Sequence, residues 1–174
     1  MGLFFVGLVL IVLFSSGALG VLATRTSAPP RPTTGAVESA ERAEVTTRFQ
    51  QIIETREEAL SRLDSSLLTG IYTPDSPQLR KDGGEIQKMR RKRERWVGLK
   101  LPVSILRATA DSSRRWTVVA LLGRSDTRLE TTSGRLITKV GANQQVYWCE
   151  MVKDPGRGWL LYRMVPPENL QSSS

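Results

Sequence analysis

The chain has 174 residues, with 25 basic and 17 acidic side chains, a net charge of +8, one cysteine and no histidine. Those numbers exclude an intrachain disulfide framework, a zinc site built from Cys and His, and the usual triads and Cys–His dyads, which lack their base. Any general acid or base has to be Asp, Glu, Tyr or Lys; a non-catalytic role is favoured over an enzymatic one, and no metal or cofactor is expected.

Residues Gly2 to Thr24 carry no charged side chain and include Leu3-Phe4-Phe5-Val6-Gly7-Leu8-Val9-Leu10-Ile11-Val12-Leu13-Phe14. An uncharged run of roughly 20 residues suffices to cross a hydrocarbon core as a helix, so residues 1–24 are expected to be a single transmembrane anchor or an uncleaved signal. Ser15-Ser16-Gly17-Ala18-Leu19-Gly20 offers the small residues of a cleavage site, but no basic side chain precedes the apolar run as a signal peptide would have it. Arg25 and Arg31 follow the run, which by the positive-inside rule would place the domain in the cytoplasm. The Pro/Thr/Ser-rich stalk behind them favours the extracytoplasmic side of the cell membrane, which is the placement expected here.

Residues 25–45 are read as that stalk running into the first helix, because three prolines among small polar residues in 25–35 cannot fold into a core. From Ala36 the pattern turns helical, with Phe49, Ile52, Ile53, Leu60, Leu63 and Leu67 spaced for one face. Gly70 punctuates it, Ile71-Tyr72 is a short apolar step, and Thr73-Pro74-Asp75-Ser76-Pro77 is a turn capping a second helix, which Gly83-Gly84 is expected to interrupt.

After Trp96 the period changes to two. Leu99, Leu101, Val103 and Ile105 alternate with polar partners, and Pro102 implies an edge or a bulge. Trp116 to Leu122 is apolar on both faces and should be central. Arg128 to Val140 splits at Ser133-Gly134 as a hairpin, and Gln145 to Lys153 follows. Asp154-Pro155-Gly156-Arg157-Gly158 is a turn, and Trp159 to Val165 is the last strand. Helices first and antiparallel strands afterwards predict an α+β domain over residues 46–166, with residues 167–174 a disordered tail.

Taken together, the amphipathic helix, Leu67-Leu68-Thr69-Gly70-Ile71-Tyr72-Thr73-Pro74-Asp75-Ser76-Pro77, the second helix, and strands closing on Gly158-Trp159-Leu160-Leu161-Tyr162 resemble the nuclear transport factor 2-like superfamily. The N-terminal apolar run makes the chain similar to bacterial membrane-anchored, uncharacterised members. The resemblance implies a cone-like curved antiparallel sheet packed against the N-terminal helices, usable as a ligand pocket or as a docking surface. In enzymatic relatives such as cyclases and isomerases the pocket pairs an Asp base with Tyr or Asp donors, a constellation that no motif places here.

Tyr72, Asp75, Tyr147 and Cys149 are the candidate pocket residues. Each has a plainer reading: Tyr72 as a core wall, Asp75 as part of a turn and helix cap, Cys149 as a small buried hydrophobe. Glu150, on the strand face opposite Tyr147 and Cys149, fits a solvated surface better than a buried acid.

Charge is unevenly spread. Residues 36–64 hold seven acidic and four basic side chains, a net of −3, whereas residues 67–174 hold ten acidic and 19 basic, a net of +9. Lys88, Arg90, Arg91, Lys92, Arg93 and Arg95 crowd into one run that on a helix cannot be confined to one face. It reads as a solvated helix end with stems laid over the core, as a contact for anionic lipid beside a tether, or as a site for an acidic partner; without a recognition motif no specific nucleic acid is expected.

Two roles follow. One is a membrane-tethered scaffold domain of a bacterial envelope protein, docking a partner protein, a second copy or an anionic surface. The other is a small apolar ligand binder, or a cofactor-free cyclase- or isomerase-like enzyme, using the cone. An open pocket with a buried carboxyl or tyrosine would favour the second role; a cone packed shut would favour the first.

Overall fold

The computed structural model describes residues 34–167. The expected anchor over 1–24, residues 25–33 of the stalk and all but the first residue of the tail lie outside the described residues, while residues 34–45 of the expected stalk are already helical. Among those described, no helix is long and apolar enough to cross a membrane.

Helix α1 (Thr34–Arg62) buries Val45, Phe49, Ile52, Ile53, Ala59 and Leu60. These positions recur at three and four residues, which is why this stretch coils around one apolar stripe. Leu63 ends it in the left-handed region at φ 56°, and a 3₁₀ turn over Ser65–Gly70 follows, capped by the Asp64 carboxylate, which accepts from Ser66 N–H at 3.0 Å. Tyr72 then bridges in parallel to Leu161, tying the inter-helix connection to the last strand.

Helix α2 (Pro77–Lys92) starts where expected. Ser76 Oγ accepts from the N–H groups of Gln78 and Leu79, and Pro77 occupies the first turn. The expected interruption does not occur, and α2 runs straight through Gly83-Gly84. Two mid-helix glycines cost about 1 kcal/mol each, but burial of Ile86 and Met89 on the next turn and the N-cap outweigh that.

Seven strands follow: β1 (Glu94–Val97), β2 (Val103–Ser112), β3 (Arg115–Arg124), β4 (Thr127–Thr131), β5 (Leu136–Val140), β6 (Asn143–Asp154) and β7 (Gly158–Val165). They form two antiparallel sheets, ordered β1-β4-β5 and β2-β3-β6-β7, where the resemblance implied one curved sheet. The ladder breaks between β3 and β4, and Gly98 at φ 75° turns the chain out of β1 before β2 begins. Leu99 and Leu101, expected on a strand, therefore sit in this connection. It is held by Glu57, whose carboxylate accepts from Leu101 N–H and Lys100 Nζ, each at 2.8 Å.

β3 is central, as its two apolar faces require, and β2 is an edge with a bulge between Ile105 and Arg107. Trp116, Val118, Ala120, Cys149, Met151, Trp159 and Leu161 form the inner face and join the helix stripe in one core. The hairpin at Ser133-Gly134 and the turn after Asp154 are both present, with Gly134 and Gly158 at positive φ.

Candidate functional site

Between the helices and the sheets lies a half-open cleft of about 480 Å³. Leu60 of α1, Trp96 of β1, Leu99 and Leu101 of the connection, Leu122 of β3 and Met164 of β7 supply its apolar walls, so the break between β1 and β2 builds one side of it.

Its floor is polar and buried. Arg56 and Asp82 form a two-pronged ion pair, Nε to Oδ2 at 2.6 Å and Nη2 to Oδ1 at 3.1 Å. Tyr72 donates its hydroxyl to Oδ2 at 2.6 Å, and Gln78 Nε2 donates to Oδ1 at 2.8 Å. Four donors thus occupy the two oxygens of one carboxylate. Burial alone would raise the Asp82 pKa, but the hydrogen bonds and charge of Arg56, with Tyr72 and Gln78, carry it below the ordinary 3.8. Burial of Arg56 is likewise outweighed by Asp82, which raises its pKa, and burial lifts that of the Tyr72 hydroxyl.

The chemical consequence is plain. A carboxylate with its lone pairs filled and its pKa lowered is a poor general base, and it cannot serve as a neutral acid at ordinary pH. The isomerase-like pattern, a free carboxyl in an apolar pocket, is not what this floor presents. Among the described residues no group of three or more His, Cys, Asp or Glu side chains could hold a metal ion.

The four candidate pocket residues separate. Tyr147 lines the cleft, donating its hydroxyl to Gln145 Oε1 at 3.3 Å. Tyr72 stands behind the floor as the donor to Asp82. Asp75 remains on the exposed turn, away from the cleft lining, where its carbonyl accepts from Arg80. Cys149 is packed into the core, also off the lining, and burial pushes its thiol up to about 12, far from a nucleophile. Glu150 is on the outer face but buried rather than solvated, covered by Arg115 at 2.7 Å and Arg163 at 2.8 Å, which neutralise it.

Sequence reasoning passed over Arg56, Gln78 and Asp82. The signal was a polar residue on an apolar stripe: Arg56 lies three and four positions from Ile53, Ile52 and Leu60, and Asp82 falls four from both Gln78 and Ile86. A charge on the buried face needs a partner on another element, and these two are each other's.

The basic run does not stay on one helix. Lys88 to Lys92 end α2, Arg93 takes the left-handed conformation at φ 55°, and Arg95 belongs to β1. Thr132 N–H donates to Arg93 carbonyl oxygen at 2.7 Å, which ties this corner to the β4–β5 hairpin. All six side chains are exposed. Lys88 and Arg95 reach Glu85 and Glu130 only at 3.7 Å, and Arg90, Arg91, Lys92 and Arg93 have no ion-pair partner among the described residues.

No protein-family model matches the chain, and no curated protein matches it significantly. Solved structures do. The intermembrane space region of the chloroplast protein ARC6 superposes with a TM-score of 0.53 at 15% identity, over 79% of this chain and 98% of that one. An uncharacterised protein with a cystatin-like fold from Caulobacter vibrioides gives 0.44 at 14% identity, over 75% and 96%. A nuclear transport factor 2-like superfamily protein from Salmonella enterica serovar Typhimurium gives 0.42 at 13%, over 70% and 92%. At 15% identity the likeness to the ARC6 region concerns the fold alone: helices followed by antiparallel sheets.

Proposed function

We propose that this chain is a non-catalytic interaction domain of a bacterial envelope protein, held at the cell membrane by its uncharged N-terminal run, facing the extracytoplasmic side and receiving its partner in the cleft. The carrying observation is the closed floor: Asp82 is filled by Arg56, Tyr72 and Gln78, so the cleft offers shape and apolar surface while its buried carboxylate is not free for proton transfer. The fold it shares with the intermembrane space region of ARC6 is in keeping with a domain that works beside membranes.

The unpaired end of α2 gives this reading a second contact, to anionic lipid. On full-length chain in vesicles, amide exchange across residues 88–95 should be about tenfold slower on anionic than on neutral lipid. Arg90→Glu, Arg91→Glu and Arg93→Glu together should abolish the difference. Equal exchange on both lipids would leave a merely solvated corner.

A photoreactive phenylalanine in place of Leu122, on the cleft wall, tests the reading in cells. One discrete protein adduct is the expected result. The volume of the cleft favours a second reading, a small apolar ligand; that reading predicts no protein adduct and a bound small molecule in native mass spectra. A folded protein giving neither result would overturn both.

A further inference from the structure

Five charged side chains line the cleft: Arg56, Lys81, Asp82, Glu85 and Arg124. Arg56 and Asp82 neutralise each other on the floor, and Glu85 has Lys88 as its neighbour at 3.7 Å. Lys81 and Arg124 have no carboxylate within 4 Å among the described residues. Arg124 is fixed by one hydrogen bond, Nη2 to Gly141 carbonyl oxygen at 3.1 Å, while its Nε is buried without a partner. That nitrogen is closed to solvent, so an anion in the cleft has to meet the Nη groups of the guanidinium.

Lys81 and Arg124 share the cleft lining with Leu99, Leu101, Leu122 and Met164. The closed floor matters too, because a neutralised Asp82 neither repels an anion nor competes for it. From this juxtaposition we infer that the cleft is a site for an amphipathic carboxylic acid, with its hydrocarbon chain on the leucines and Met164 and its carboxylate at Arg124 and Lys81. Guanidinium and carboxylate match in geometry as well as charge. A neutral chain of the same length leaves Arg124 unanswered, and an amine adds a third cation to two. The inference rests on the second of the two readings, the cleft as a small-ligand site, and it specifies the chemistry of that ligand.

The test uses full-length chain in neutral-lipid nanodiscs, with diazirine-bearing decanoic acid, decanol and decylamine as probes and adducts mapped by peptide mass spectrometry. The acid should label the cleft walls at least tenfold more than the alcohol or the amine, and unlabelled decanoate should compete. Lys81→Gln with Arg124→Gln should remove that preference, while Arg124→Lys, which keeps the charge, should retain part of it. Equal labelling by acid and alcohol, or unchanged preference in the double variant, would overturn the anion assignment and leave the cleft as an apolar binding site. No labelling of the cleft by any probe, alongside a protein adduct at position 122, would overturn it while the interaction reading stands.

Discussion

Replacing Asp82 by alanine should destabilise the domain by about 3 kcal/mol, because it strands the buried Arg56 guanidinium together with the Tyr72 hydroxyl and the Gln78 amide. Breaking a buried pair costs roughly 3 to 5 kcal/mol, and the lower end applies because Arg56 keeps 18% of its side chain exposed against 4% for Asp82. Exchanging both partners, Arg56→Met with Asp82→Leu, should restore part of the loss, since an apolar pair of similar bulk strands no charge, while the Tyr72 hydroxyl and the Gln78 amide still lack their acceptor. Chemical denaturation of the single and double variants measures the difference. A double variant as unstable as Asp82→Ala would show that the floor does more than neutralise its own charges.

The same group sets a pH dependence. The folded pKa of Asp82 lies below its unfolded value of 3.8, so its contribution is complete above the unfolded value and is lost as pH falls through the folded one. The stability gap between the parent chain and Asp82→Asn should therefore be flat above about pH 5 and shrink on further acidification. A gap that widened toward acid would mean that the carboxylate is not the stabilised form.

Trp116→Ala should cost about 3 to 5 kcal/mol. Trp116 is fully buried on β3 and meets Trp159 edge to face, with ring centroids 6.5 Å apart and an interplanar angle of 80°. Neither indole N–H has a hydrogen-bond partner among the described residues. Trp116→Phe should accordingly cost much less than Trp116→Ala, because it removes an unpaired buried donor while keeping most of the ring. Urea unfolding of the two variants decides it. Similar losses for both would mean that the N–H is satisfied, by water for instance, and that the indole is needed as such.

What was legible in the residues follows from local rules. The stripe on α1, the Ser76-Pro77 cap, central β3, the hairpin at Gly134 and the turn after Asp154 each depend on spacing, on φ, or on a side chain bonding its own backbone neighbours, and a single segment contains that information. The errors arose where the deciding partner lay elsewhere in the chain. Gly83-Gly84 reads as a break by propensity and is helical because Ile86 and Met89 have a core to enter. Leu99 and Leu101 alternate like a strand and become a cleft wall because Gly98 turns the chain and Glu57 of α1 holds the connection.

The candidate site divides in the same way. Tyr147 was recognisable from its strand face, whereas Arg56 and Asp82, 26 positions apart, are only polar exceptions on two separate apolar stripes until the helices pack. Composition alone, with no histidine and one cysteine, determined that a Cys/His zinc site and histidine-based triads and dyads lacked their parts. Only the tertiary structure decided that the carboxylate on the cleft floor is filled and that Arg124 is not, because hydrogen-bond satisfaction belongs to pairs brought together by packing and cannot be read from either partner alone.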